Sequence, residues 1–135
     1  MYASYKAIDA AEKPHTSRPE TPLKEVVKQM YENGSSASVI VDEYGRPIGI
    51  FTERDLVRVI ATGGGLEDPV EKHMTKNPLT VGDKESLTKA LAIMSQHRIR
   101  HLPVVDSEGR LVGIITAKSI TEILKTYKEE VGEIE

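Results

Sequence analysis

The sequence has no cysteine and no tryptophan, a single phenylalanine, and aromatic residues at only 4% of its positions. Lack of cysteine removes disulfides, thiolate nucleophiles and cysteine-ligated zinc, and leaves no hint of an oxidising compartment. Charge of one sign is also lacking, since 18 Lys and Arg against 21 Asp and Glu give a net charge of −3. That balance offers no global basic field for nucleic acid, so nucleic acid is not an expected partner. Long hydrophobic runs are missing too. The longest, residues 102–105 and 111–115, are interrupted by Pro103 and Gly113 and fall far short of the roughly 20 apolar residues of a spanning helix. Residues 1–13 carry Lys6, Asp9, Glu12 and Lys13 without an apolar stretch, so no secretory signal is read there, and the expected location is the cytosol, away from membranes.

What is present is a domain-sized chain of 135 residues, 39% hydrophobic and 29% charged, which predicts a packed core. A shift of 64 residues aligns its two halves. The identical pairs are Pro14/Pro78, Thr16/Thr80, Leu23/Leu87, Met30/Met94, Val41/Val105, Asp42/Asp106, Gly45/Gly109, Arg46/Arg110, Gly49/Gly113, Ile50/Ile114 and Thr52/Thr116. Chance would supply roughly two or three, so the chain is read as a duplication.

Each half predicts the same order of elements. A short extended stretch at Pro14 or Pro78 leads into a helix carrying Leu23, Val26, Val27, Met30 and Tyr31, or Leu87, Ala90, Leu91 and Met94, at helical spacing. Thr21 and Ser86 are the expected N-caps, with Pro22 at the first helical position and Asn33-Gly34 ending the first helix. Two β-rich runs then flank Asp42-Glu43-Tyr44-Gly45 or Asp106-Ser107-Glu108-Gly109, where Asp closes a turn and Gly supplies a positive φ. A second helix starts at Thr52 or Thr116. The domain reading is residues 1–62 for the first repeat, 63–68 for a glycine-containing linker, 69–127 for the second repeat, and 128–135 for an acidic tail. The fold class is α/β (α+β), two β-α-β-β-α repeats. A unit of about 60 residues is marginal alone, so the two are expected to bury their sheets together.

The strings Gly49-Ile50-Phe51-Thr52-Glu53-Arg54-Asp55-Leu56 and Arg98-Ile99-Arg100-His101-Leu102-Pro103-Val104-Val105-Asp106, in this tandem frame, resemble a cystathionine β-synthase (CBS) domain pair, or Bateman module. The resemblance covers about residues 13–124 and leaves no catalytic domain over. It implies two repeats related by a pseudo-twofold axis, with clefts between them that hold adenine nucleotides. One repeat then supplies a ribose carboxylate and a phosphate-side Thr from Gly-x-x-Thr-x-x-Asp, and the other supplies adenine and basic phosphate contacts. Transferred to this sequence, the first cleft takes Ile50, Thr52 and Asp55 with Pro78, Leu79, Arg100, His101, Pro103 and Lys118. The second takes Ile114, Thr116 and Ser119 with Pro14, His15, Ser36, Ala37, Val39 and Arg54, and is expected to be degenerate, because Ser119 stands where the ribose Asp belongs.

The chemistry fits independently of the family, because one carboxylate can accept hydrogen bonds from two adjacent ribose hydroxyls, and a strand-to-helix junction at Thr52 favours an anion. Thr52 and Asp55 also satisfy a capping box. Because Thr116 opens its helix with Ser119 three residues on, the tandem context weighs towards a ligand role for Asp55. Arg98, Arg100, His101 and Lys118 taken alone read as a solvated basic face. His97 and His101 lack a third ligand at metal-like spacing, so no metal is expected. Gly63-Gly64-Gly65 is not followed by Lys-Ser or Lys-Thr and is no phosphate loop.

The functional expectation is a regulatory, non-enzymatic sensor of AMP, ADP or ATP acting by reorientation of its repeats, assembled as a homodimer and read out by a protein effector. The alternatives are a ligand-free dimerisation scaffold and a binder of another adenosyl ligand such as S-adenosylmethionine.

Overall fold

The computed structural model describes residues 4–132. They form two compact units, Pro14–Pro78 and the remainder, in which the N-terminal segment to Lys13 packs with the chain from Leu79 onward. The first unit contains β1 (Thr16–Ser17), α1 (Leu23–Asn33), β2 (Ala37–Val41), β3 (Pro47–Thr52), α2 (Glu53–Ala61) and β4 (Thr75–Lys76). The second contains β5 (Val81–Gly82), α3 (Leu87–His97), β6 (His101–Val105), β7 (Leu111–Thr116) and α4 (Ala117–Gly132). Of the expected acidic tail, residues 128–132 are part of α4, and 133–135 lie outside the described residues.

The sheets repeat each other. Strand β1 runs parallel to β2, which is antiparallel to β3, and β5, β6 and β7 follow the same pattern. The hairpin turns form as their Asp and Gly dictate. Asp42 Oδ1 accepts from the N–H groups of Tyr44 and Arg46 at 2.9 Å each, while Gly45 and Gly109 both take φ near 81°. These backbone donors, above all Arg46 for Asp42 and Arg110 for Asp106, hold both carboxyls below their ordinary pKa. Beneath the sheets, Leu23, Val26, Met30, Ile40, Phe51, Val59 and Val70 form one core. Leu87, Ala90, Met94, Leu102, Val104 and Ile115 lie in the other, together with Ala7 and Ala10.

Those two alanines belong to a segment in which no repeat was read from the sequence. Residues 5–12 strap the second repeat unit just as residues 68–75 strap the first. Leu87 N–H donates to the Tyr5 carbonyl as Leu23 N–H donates to that of Asp68, Ala7 N–H reaches Glu85 as Val70 N–H reaches Thr21, and Ile8 reaches Asp83 as Glu71 reaches Pro19. Glu12 pairs antiparallel with Ile114 where Thr75 pairs with Ile50. Each strap position is matched 63 residues on (68 − 5, 70 − 7, 71 − 8, 75 − 12), one fewer than in the body of the repeat. The extra residue lies between Thr75 and Pro78, where Asn77 takes a left-handed φ of 52°.

The straps explain why Pro14–Pro78 is one stretch of chain while the other compact unit draws on both ends of the sequence. They also change the start of α1. Thr21 is not its cap; Pro22 holds that position, and the first-turn amides of Leu23 and Lys24 donate to the carbonyls of Asp68 and Leu66 at 2.8 Å. The stretch 63–68 thus caps a helix that a side chain would otherwise have to cap. Ser86 does cap α3, accepting from Lys89 N–H at 3.1 Å, and α3 ends on Arg98 in the left-handed region where α1 ends on Gly34.

Candidate functional site

Of the nine residues assigned to the first cleft, Ile50, Thr52, Asp55 and Pro78 lie in the Pro14–Pro78 unit, and Leu79, Arg100, His101, Pro103 and Lys118 in the other. Ile50 is buried in β3, opposite Val39. Thr52 ends that strand with an extended backbone and opens α2. Its hydroxyl accepts from Asp55 N–H at 3.3 Å and donates to Asp55 Oδ2 at 3.1 Å, while its own N–H donates to the same Oδ2 at 2.9 Å. The capping box is therefore fully formed. Among the described residues Asp55 Oδ1 has only Arg58 Nη2, at 3.5 Å, and that guanidinium is held by the His73 carbonyl at 2.8 Å. One carboxylate oxygen is occupied, and the other remains available for further donors.

In the second unit, His101 and Pro103 sit on β6 opposite Thr116 and Ile114, with Pro103 buried. Arg100 precedes that strand, Lys118 lies in the first turn of α4, and both are exposed. Neither cation has a hydrogen bond or ion pair among the described residues, so both are free to meet an anion. Leu79 is exposed and Pro78 half-buried in the loop before β5.

The corresponding Thr116 motif differs from its expected reading. Ser119 Oγ accepts from Thr116 N–H at 2.8 Å, and Ser119 N–H donates to Thr116 Oγ1 at 3.1 Å, so serine builds the same cap that aspartate builds at position 55. Helix capping thus accounts for both residues, and the contrast drawn from the sequence does not separate cap from ligand. Sequence reasoning also missed two groups, Arg58 beside Asp55 and Glu12, whose Oε1 accepts from Thr116 Oγ1 at 3.0 Å. Glu12 lies 104 residues from Thr116, and only the strap brings it there.

A second polar pair in the first unit lies within the strap itself. His73 Nε2 is 2.9 Å from Asp68 Oδ2, and this hydrogen bond, helped by Lys72, holds the Asp68 carboxyl below its ordinary pKa. No helix among the described residues is long and apolar enough to cross a membrane.

The sequence profile of the CBS domain matches residues 7–62 and again residues 70–126. The chain belongs to the CBS domain family, as a tandem pair. Among CBS relatives, an uncharacterized 17.7 kDa protein of Acidianus ambivalens is 36% identical over 115 residues, which cover 85% of this chain and 70% of that protein. The chain spans 62% and 27% of two further curated relatives, from Methanopyrus kandleri and Methanocaldococcus jannaschii. A CBS domain protein from Pyrobaculum aerophilum, solved in complex with AMP, superposes with a TM-score of 0.79 at 26% identity, covering 84% of this chain and 88% of that one. The CBS domain pair of protein MJ0100, solved with 5-methylthioadenosine and S-adenosyl-L-methionine, superposes with a TM-score of 0.81 at 29% identity, covering 91% and 98%.

Proposed function

We propose that this CBS pair is a regulatory binding module for adenine nucleotides of the AMP, ADP and ATP class, and that it performs no catalysis itself. The observation that carries the reading is the Thr52–Asp55 junction, where a strand ends, a helix begins, and a carboxylate fixed through Oδ2 keeps Oδ1 available for hydroxyl donors. AMP bound to the relative from Pyrobaculum aerophilum supports it. In this reading Asp55 accepts the ribose hydroxyls and Thr52 stands near the phosphate. Arg100, His101 and Lys118 supply basic phosphate contacts, and Ile50, Pro78, Leu79 and Pro103 supply apolar cover for the base. A ligand engaging both repeats acts by favouring the arrangement that binds it best.

Isothermal titration with AMP, ADP, ATP, adenosine and S-adenosyl-L-methionine tests this, with tight binding of a phosphorylated nucleotide expected. S-adenosyl-L-methionine is the second reading, favoured by the MJ0100 pair, and its selective binding would replace the first. No heat with any of the five would leave a ligand-free scaffold. We also propose a homodimer: α2 exposes Val57 and Ile60, and α4 exposes Leu124, apolar groups suited to a second copy of the chain. Light scattering that reports a monomer well above the binding concentrations would refute it.

A further inference from the structure

The two Thr motifs share a hydrogen bond that does not come from equivalent residues. Thr52 Oγ1 donates to a carboxylate on its own helix, Asp55, at 3.1 Å, whereas Thr116 Oγ1 donates to a carboxylate on the strap, Glu12, at 3.0 Å. Asp55 corresponds to Ser119, and Glu12 corresponds to Thr75 of the other strap. The acid has changed element, from helix to strap, while the hydroxyl it faces has stayed in place.

Glu12 is not a loose surface acid. Its backbone exchanges both hydrogen bonds with Ile114, at 2.9 and 3.0 Å, and the strap around it is anchored by the buried Ala7 and Ala10. Gly113 makes the approach possible, because a Cβ there would stand 2.7 Å from the Ala11 Cβ. Glu12 and Ser119 also border a cavity of about 210 Å³ whose lining includes Asp9 and Glu122. Of the acids around it, Asp9 is engaged by the Lys6 N–H and Glu122 lies 3.7 Å from Lys125.

We infer that Glu12 determines the ligand preference of the Thr116 motif, turning it against phosphate and towards an unphosphorylated nucleoside. The inference rests on the adenine-ligand reading above and deepens it. A carboxylate at Thr116 can accept ribose hydroxyls, the task Ser119 cannot perform as an anion. Glu12 makes no ion pair among the described residues and shares its cavity with Asp9 and Glu122, so the charge there repels a phosphate, whereas Arg58 Nη2 lies 3.5 Å from Asp55 and offsets its charge. At the place matching Glu12 the Thr52 motif has the neutral Thr75, so its one carboxylate, Asp55, is the one Arg58 accompanies.

The test is a titration of the full chain with adenosine and with AMP, followed through backbone amide chemical shifts, which report each motif separately. The amides of Gly113, Thr116 and Ser119 read the second motif, and those of Thr52 and Asp55 the first. At the second motif adenosine should saturate at a concentration at least tenfold below AMP. Glu12→Gln keeps the strap backbone bonds, and Glu12→Thr installs the residue type found at the matching place. Each should bring the AMP midpoint down at least tenfold, towards that of adenosine. Equal midpoints in the unmodified chain, no response of these amides to either ligand, or an AMP midpoint unmoved in both variants would each overturn the inference. A silent Thr52 and Asp55 with a Glu12-dependent response at Thr116 would sink the nucleotide reading of the first motif and leave this one standing.

Discussion

Replacing Asp55 with alanine separates two roles that coincide in one carboxylate. In the folded chain Oδ2 accepts from the Thr52 amide at 2.9 Å and from the Thr52 hydroxyl at 3.1 Å. Alanine keeps the reverse bond, from the residue 55 amide to the Thr52 hydroxyl, but orphans the Thr52 amide. Leaving such a donor without its partner costs about 1–3 kcal/mol when buried, and loss of an acid from the first helical turn costs about 0.3–1 kcal/mol. The Asp55 side chain keeps 16% of its exposure, so water recovers part of the first cost. The expected net loss is about 1–2 kcal/mol, in the range of a capping residue. That lowers Tm by roughly 3–8 °C for a chain of this size. Affinity for AMP should fall at least tenfold, because each charge-assisted bond to a ribose hydroxyl is worth about 1.5–3 kcal/mol. Asp55→Asn keeps an acceptor for the Thr52 amide and should recover most of the stability while affinity stays low. Ser119→Ala removes the equivalent cap from α4 and should lower Tm similarly with AMP affinity unchanged. Thermal melts and titrations on the same three preparations decide the matter. A destabilised Asp55→Ala chain that still binds AMP at full strength would make Asp55 a cap and nothing more.

Gly113→Ala should cost about 1–3 kcal/mol as an overpacking change, since the new methyl meets the Ala11 Cβ, which can yield only if the strap moves. Gly49→Ala meets the flexible Met74 side chain instead and should cost less in the same denaturant titration; the reverse order would refute the strap geometry. The carboxyls of Asp42, Asp68, Glu85 and Asp106 have folded pKa values below their ordinary ones. Each therefore contributes stability that is present above the ordinary carboxylate range and lost as pH falls through the lowered value. Tm should hold from neutral pH down to about 4 and drop below it, and the Asp42→Asn, Asp106→Asn chain should start lower and drop less; an unchanged acid slope would contradict this. Arg100→Ala with Lys118→Ala should weaken AMP far more than adenosine, because the lost contacts are to phosphate. Equal losses measured by calorimetry would remove these cations from the phosphate.

Much of this protein could be read from side-chain type and spacing. Local chemistry acts within a few residues, so the Asp and Gly of each hairpin turn, the Ser86 cap and the apolar stripes of α1 and α3 stand in the sequence and form as expected, except that Tyr31, expected on the α1 stripe, is 87% exposed. The duplication stood there too, and with it the Thr52-Glu53-Arg54-Asp55 motif of the family. The straps did not. Their residues share no identity across the repeats, since Ala7 corresponds to Val70 and Ala11 to Met74, and what is preserved is a set of backbone hydrogen bonds to which any side chain is indifferent. The one-residue slip from 64 to 63, absorbed at Asn77, hid even their register. For the same reason the sequence could name Ser119 as a missing acid but not Glu12 as its replacement. A carboxylate brought in from 104 residues away is specified by a sheet edge, and a sheet edge exists only once the chain has folded.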